Sequence, residues 1–321
     1  MIKPHPYYGE TYCTALYKSG VNKGKRCKNK AYYYIYDSLD KKDNKYVCGV
    51  HSKKNNREDL IKNPNAKEEL AKKLKDRKEL VQKTALHNKS LGIKGGIICS
   101  KFRMMKESPH VDGYMKVFPN FKHGNRKDGF GCKTLSPKFL GPINHGQLGL
   151  PVSLNLENFF QGAKCFASEL DKKGEPSQDF YDSQIAMFKD PIPHRHKDVA
   201  KTIKGNKNIC KFWVWKTKSG EEKHFTYFEC RQFYCTFYER LAKEEDEFNK
   251  LLKYKEDGYN LQIIGYDGYD IREVKGETIS EKLYNCYLDT SRPFGHELCL
   301  LSLLVLEEGE YPWRKFKTEE F

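Results

Sequence analysis

The sequence predicts an α+β protein in three parts: a small cysteine-rich module, a linker helix, and a mainly helical domain with short strands. Three observations lead there. Cys13, Cys27, Cys48 and His51 crowd a segment rich in Lys, Gly, Asn and Tyr, with too few aliphatic residues to build a core alone. The charged run KEELAKKLKDRKEL then sets Glu and Lys three to four residues apart, the pattern of an exposed helix. Beyond residue 96, apolar residues recur at helical spacing and are interrupted by short alternating runs that read as strands. The divisions fall at residues 1–56, 57–96 and 97–321.

Charge is unevenly placed along the chain. Residues 1–135 carry 31 Lys and Arg against 13 Asp and Glu, a balance of +18, while the remainder carries 27 against 30. A basic segment of this kind suits a nucleic acid, through phosphate contacts and counterion release, and it equally suits a solubilising surface. The N-terminal stretch MIKPHPYY has no apolar core, so no secretory leader is expected. The apolar run Leu298 to Leu306 is too short to span a bilayer and reads as a buried helix or strand, so no membrane partner is expected. Eleven cysteines scattered through an unsecreted chain imply reduced thiols in an intracellular compartment, with some of them used for metal.

In the first module, Cys48-Gly-Val-His51 has the two-residue spacing that presents two ligands to one ion. With Cys13 and Cys27 it makes a four-ligand set suited to structural, tetrahedral Zn²⁺, whose binding would supply the missing folding energy. Tyr32 to Tyr36 reads as a strand, with Lys45 to Val47 as its partner. Asn65 is placed to cap a helix from Ala66 to about Leu86, with Leu70, Leu74, Leu80 and Val81 as a thin apolar stripe. The glycines at 92, 95 and 96 end it. That helix reads as a solvated connector or as a basic face for nucleic acid.

The third part opens with a short strand, Ile97 to Cys99. A stretch rich in Gly, Pro, His and aromatic residues follows and reads as irregular but ordered, because its aromatic residues need burial. Its neighbours Phe118, Phe121, Lys122, His123, Arg126, Lys127 and Phe130 fit either base stacking with phosphate contacts or a loop packed on a core. Between Ser153 and Phe166, Asn155 is placed to cap a helix. Leu156, Phe159, Phe160, Ala163 and Phe166 mark a helix face toward the core. Glu157, Gln161 and Lys164 share a second face, which is either a solvated stripe or a pocket wall. Pro193 to Lys197 carries His-Arg-His-Lys, which suits a phosphate group or a surface loop, and its HxH spacing also admits a metal. A hairpin is expected around Ser219-Gly220. A long helix is expected from Arg231 to Leu252. The strand in LQIIGYDGYD leads to a turn presenting Asp267, Tyr269 and Asp270.

Glu157, a polar residue, two aromatic residues, Gln161, a small residue and Lys164 stand in an order that resembles the signature helix of the NADAR family, also called YbiA-like. The likeness covers roughly residues 135–305. It runs through Leu135 to Pro142, the Glu-Gln-Lys helix, the long helix, the Asp267 turn and the closing Phe294-Gly295 helix. It implies a YbiA-like domain and an N-glycosidase acting on ADP-ribosylated guanosine or a related ribosylated nucleotide, with no metal in catalysis. On this resemblance Glu157 and Asp267 are the catalytic carboxylates. Gln161 and Lys164 orient Glu157 or hold the substrate, Arg195 and Arg231 contact phosphates, and Tyr269 stacks on the base. The family's Asn in the leading loop and its Trp after the Asp are absent here, with Tyr269 in the Trp's place. A second reading is therefore a non-enzymatic nucleic-acid-binding or virion-associated protein with a degenerate NADAR-like domain. A third is a DNA base glycosylase. The Cys3His phrase and the stretches NLENF, FYCTFYE and GYNLQI also resemble proteins of large DNA viruses. That likeness implies a viral protein of host cytoplasm, nucleus or virion.

Overall fold

The computed structural model describes residues 25, 33–35, 45–47, 60–62, 66–102, 108–198, 202–203, 206–266 and 268–316. Helices and sheets are both present, as an α+β class requires. The chain divides into two compact units, residues 1–76 and 77–321. In the first, β1 (Tyr33–Ile35), β2 (Lys45–Val47) and β3 (Leu60–Lys62) form an antiparallel sheet in the order β2-β1-β3, with Tyr33 opposite both Val47 and Lys62. The expected β1–β2 pairing is there, and β3 adds a third strand. The four expected zinc ligands, Cys13, Cys27, Cys48 and His51, lie outside the described residues.

Helix α1 (Ala66–Ser90) contains the division between the units. It ends as its glycine predicts. Gly92 takes φ +69°, and the amides of Gly92 and Ile93 turn back to the carbonyls of Lys89 and Asn88, closing the last turn. Of the expected stripe, Val81 is buried, Leu74 is half-buried, and Leu70 and Leu80 stay exposed, while Ala85 is buried as well. Asn88 fixes the helix end by donating to the Gly258 carbonyl at 2.8 Å.

The second unit continues with β4 (Ile97–Lys101), β5 (Tyr114–Phe118), β6 (Phe130–Gly131), α2 (Leu156–Gly162), β7 (Lys164–Phe166) and α3 (Gln178–Lys189). Next come the short β8 (Thr202–Ile203) and β9 (Asn206–Lys207), then β10 (Cys210–Lys216), β11 (Glu222–Phe225), α4 (Tyr227–Lys243) and α5 (Asp246–Glu256). The last elements are β12 (Asn260–Gly265), α6 (Ile279–Leu288) and α7 (His296–Val305). The expected hairpin around Ser219-Gly220 is the β10–β11 pair. The single helix expected from Arg231 to Leu252 is two. Thr226 and Glu229 start α4 with a reciprocal capping box, and the chain turns at Glu244 and Glu245 before α5.

Two sheets frame the core. One is wholly parallel, in the order β4-β12-β5-β6, and the other is antiparallel, β11-β10-β7. The stretch expected to be irregular therefore contributes β5 and β6 to the parallel sheet. Leu261, Ile263, Cys99 and Val117 turn one face of that sheet to the main core. The other face buries the polar residues Ser100, Lys116 and Gln262. Gln262 is fully buried, donates to Ser100 Oγ at 3.0 Å and accepts from the Val111 amide. Buried Lys116 donates to Ser108 Oγ at 2.8 Å. The apolar run expected as a helix or strand is α7, and Leu298 to Leu301 are fully buried within it. Among the described residues, no helix is long and apolar enough to cross a membrane.

Candidate active site

The expected second face is a connected chain of polar groups. Asn155 caps α2 as its type predicts, accepting from the Asn158 amide at 2.8 Å. The leading loop satisfies two more first-turn amides. Leu156 donates to the Leu140 carbonyl and Glu157 to the Pro137 carbonyl, each at 2.8 Å. Glu157 and Gln161 then sit one turn apart. The helix stops at Gly162 rather than running to Phe166, so Lys164 reaches the same face as the first residue of β7, paired across the sheet with Trp213.

Lys164 Nζ donates to Gln161 Oε1 at 2.9 Å, and Gln161 Nε2 donates to Glu157 Oε1 at 3.1 Å. The amide fits only one way round, because an ammonium has donors alone and a carboxylate acceptors alone. Glu157 Oε2 makes no hydrogen bond among the described residues. Lys164 also lies over the rings of Phe160, at 4.9 Å, and Trp213, at 5.8 Å. Burial lowers its pKa, as does the positive charge of Arg195, while Cys210, Glu157 and Cys230 oppose the shift.

Asn158, buried one position after Glu157, brings Arg195 here. It donates to the carbonyls of Asp190 and Ile192 and accepts from the His194 amide, anchoring the segment that leads into Arg195. Of the His-Arg-His-Lys cluster, three residues are committed elsewhere. His194 pairs with Asp190, buried His196 with buried Glu169, and Lys197 with Asp179. Arg195 is exposed and has no ion-pair partner among the described residues. The two histidines thus face different carboxylates. Among the described residues, no group of three His, Cys, Asp or Glu is placed to hold a metal.

Two expected substrate contacts are used structurally instead. Arg231 is buried, and its guanidinium donates to the carbonyls of Cys286, Tyr287, Asp289 and Arg292, closing the C-terminal end of α6. That use replaces the expected phosphate contact. Tyr269 is also buried. Its hydroxyl donates to Asp289 and Arg292 covers its ring, so no face is left for a base. Burial and the Asp289 contact raise its pKa, and hydrogen bonds from Ser291 and Tyr269 hold Asp289 down at about 2. Asp267, the second expected carboxylate, lies outside the described residues.

Three residues near this face were not among the expected site residues. Tyr234, on α4, packs its ring 5.0 Å from Phe160. Burial raises its pKa, and the carboxylates of Glu157 and Glu297 add to the shift, so the phenol feels both. Glu297, at the start of α7, is 3% exposed and wedges under the turn after β12. A Cβ at Gly265 would stand 2.5 Å from its Cγ, and one at Gly295 2.7 Å from its Oε2. Those paired glycines were the available signal. Trp213 is the third. The basic and aromatic residues of 118–130 are packed on one another: Arg126 covers Phe118 at 4.4 Å and pairs with Asp128, and His123 meets the Tyr266 hydroxyl at 2.7 Å.

The arrangement offers a half-buried carboxylate with one uncommitted oxygen, steadied through an amide by a desolvated cation and walled by aromatic rings. Set against family models, curated proteins and solved structures, the chain matches none of them.

Proposed function

We propose that the chain is an N-glycosidase that hydrolyses the N-glycosidic bond of ADP-ribosylated guanosine or a related ribosylated nucleotide. The supporting observation is the Lys164–Gln161–Glu157 hydrogen-bond chain, which assembles the three residues that carry the NADAR resemblance. Breaking a bond from ribose C1 to a base nitrogen leaves the electron pair on that nitrogen and an oxocarbenium-like ribose. Glu157 stabilises that cation. Its Oε2 takes a proton from the attacking water as the hydroxyl adds to C1, and the proton then passes to the leaving base or to solvent. Gln161, itself held by Lys164, donates to Oε1, which leaves Oε2 to face the reaction. Arg195, exposed and without an ion-pair partner among the described residues, is the candidate for a phosphate. Asp267 remains part of the proposal as a second carboxylate. A zinc module held by Cys13, Cys27, Cys48 and His51, with the basic residues of 1–135, would deliver the enzyme to nucleic acid.

The test is release of ADP-ribose from ADP-ribosylated guanosine in single-stranded DNA, wild type against Glu157→Gln. Loss of about 10²- to 10⁴-fold, with the circular dichroism unchanged, is expected for a general base. The structural commitment of Arg231 and Tyr269 favours the second reading, a nucleic-acid-binding or virion-associated protein without activity. No release by the wild type, with tight salt-sensitive binding to unmodified DNA, would select it.

A further inference from the structure

Among the described residues of this face, Trp213 carries a polar atom that the fold buries and leaves unused. The side chain is 6% exposed, and its indole N–H has no hydrogen-bond partner among the described residues. An unpaired buried donor costs about 1–3 kcal/mol. Trp313 shows the usual solution: its N–H, equally buried, donates to Glu239 Oε2 at 2.8 Å.

The surroundings of Trp213 narrow the choice of partner. The β10 register sets it opposite Lys164 on one side and Phe225 on the other. Its ring lies 5.8 Å from that of Phe160 and 5.5 Å from that of Tyr227, under the Lys164 ammonium. The positive charge of Arg195 adds to the burial that lowers the Lys164 pKa. An indole N–H, an ammonium and a guanidinium are all donors, with no acceptor among them. None of the three satisfies another. A group that offers only acceptors and carries negative charge satisfies all of them, and a phosphate does so.

We propose that the Trp213 N–H donates to a phosphate oxygen of the substrate, beside Lys164 and Arg195, and so selects a ribose that carries a phosphate. The inference rests on the glycosidase reading above and adds the residue that recognises the diphosphate.

The chain has three tryptophans, so ¹⁵N-labelled protein gives three indole N–H signals. Trp213→Phe and Trp313→Phe assign them. On titration with ADP-ribose the Trp213 signal moves and the Trp313 signal stays. Adenosine, which lacks the diphosphate, leaves both in place. Trp213→Phe binds ADP-ribose about tenfold more weakly, the loss of one hydrogen bond to a charged group. If Trp213→Phe does not fold, Trp215→Phe and Trp313→Phe together identify the Trp213 signal by elimination in the wild type. ADP-ribose that binds without moving the Trp213 signal overturns the inference and leaves the glycosidase reading standing. Equal binding by a folded Trp213→Phe, or an equal shift with adenosine, has the same consequence. Failure of ADP-ribose to bind the wild type overturns the inference, and the glycosidase reading is then decided by the release assay alone.

Discussion

Two clusters of charged and aromatic residues lie within the same domain and have been brought to opposite states. Around Glu239 every strong group is paired. The carboxylate accepts from Trp313 Nε1 at 2.8 Å, Lys243 Nζ at 2.8 Å and Arg314 Nη2 at 2.6 Å. Around Lys164 the cation is desolvated, the Trp213 N–H has no partner among the described residues, and Glu157 keeps one oxygen uncommitted. Both clusters hold a carboxylate, a lysine, an arginine and a tryptophan. The difference lies in closure. The first consumes its hydrogen-bonding capacity internally and locks the C-terminal segment. The second keeps capacity in reserve, which costs stability and is the usual mark of a site that completes itself with a ligand.

The largest effect expected from this contrast is on stability at the closed cluster. Trp313→Ala empties a fully buried position and strands part of Glu239, so calorimetry should show a loss of about 3–5 kcal/mol. Arg231→Met comes next. It leaves the carbonyls of Cys286, Tyr287, Asp289 and Arg292 without their donor and should cost about 3 kcal/mol in denaturant unfolding. A wild-type-like midpoint for Arg231→Met would return that residue to the substrate-facing group.

The open cluster should respond with the other sign. Burial lowers the Lys164 pKa, so the folded state disfavours its proton. The penalty is fully present below the folded value and lifts as pH rises toward the unfolded value of about 10.4. Lys164→Met should therefore be more stable than wild type at pH 7, by about 0.5–2 kcal/mol, with the advantage shrinking as pH rises toward ~10. A smaller effect separates the clusters in acid. Burial alone would raise the Glu239 pKa, but the hydrogen bonds from Arg314, Lys243 and Trp313 outweigh it and hold the value down. A depressed carboxylate stabilises the fold above its unfolded value of about 4.3, and the contribution fades as pH falls through the folded value. Below pH ~4.3 the wild-type melting temperature should fall more steeply than that of Glu239→Gln.

Local chemistry made several parts of this molecule readable in advance. Asn155 announced a helix start because an amide oxygen can replace a missing backbone partner. Ser219-Gly220 between alternating bulky residues announced a hairpin, and Leu261 to Ile264 a buried strand. Glu157, Gln161 and Lys164 were legible as one polar group even though the helix ends before the lysine, because the following strand keeps Lys164 on the same side. What stayed hidden depends on contacts far apart in the chain. Tyr114 to Phe118 reads poorly as a strand because Lys116 faces a buried polar layer instead of water. Arg231 looks like a phosphate ligand until α6 is placed with its end carbonyls around the guanidinium. Tyr269 looks like a stacking ring until Asp289 and Arg292 are seen to hold it. The spare donor of Trp213 has no signature in sequence, since any tryptophan could have found a partner as Trp313 did.

The central claim is that Glu157 belongs to a cluster held for chemistry and Glu239 to one held for stability. The most direct test measures melting temperature and ADP-ribose release on the same preparations of wild type, Glu157→Gln and Glu239→Gln. Glu157→Gln should lose release while melting at or above the wild-type temperature. Glu239→Gln should melt several degrees lower and, at a temperature where it is folded, keep release. If Glu157→Gln retains release, or loses it only in step with its melting temperature, the separation of the two clusters is contradicted.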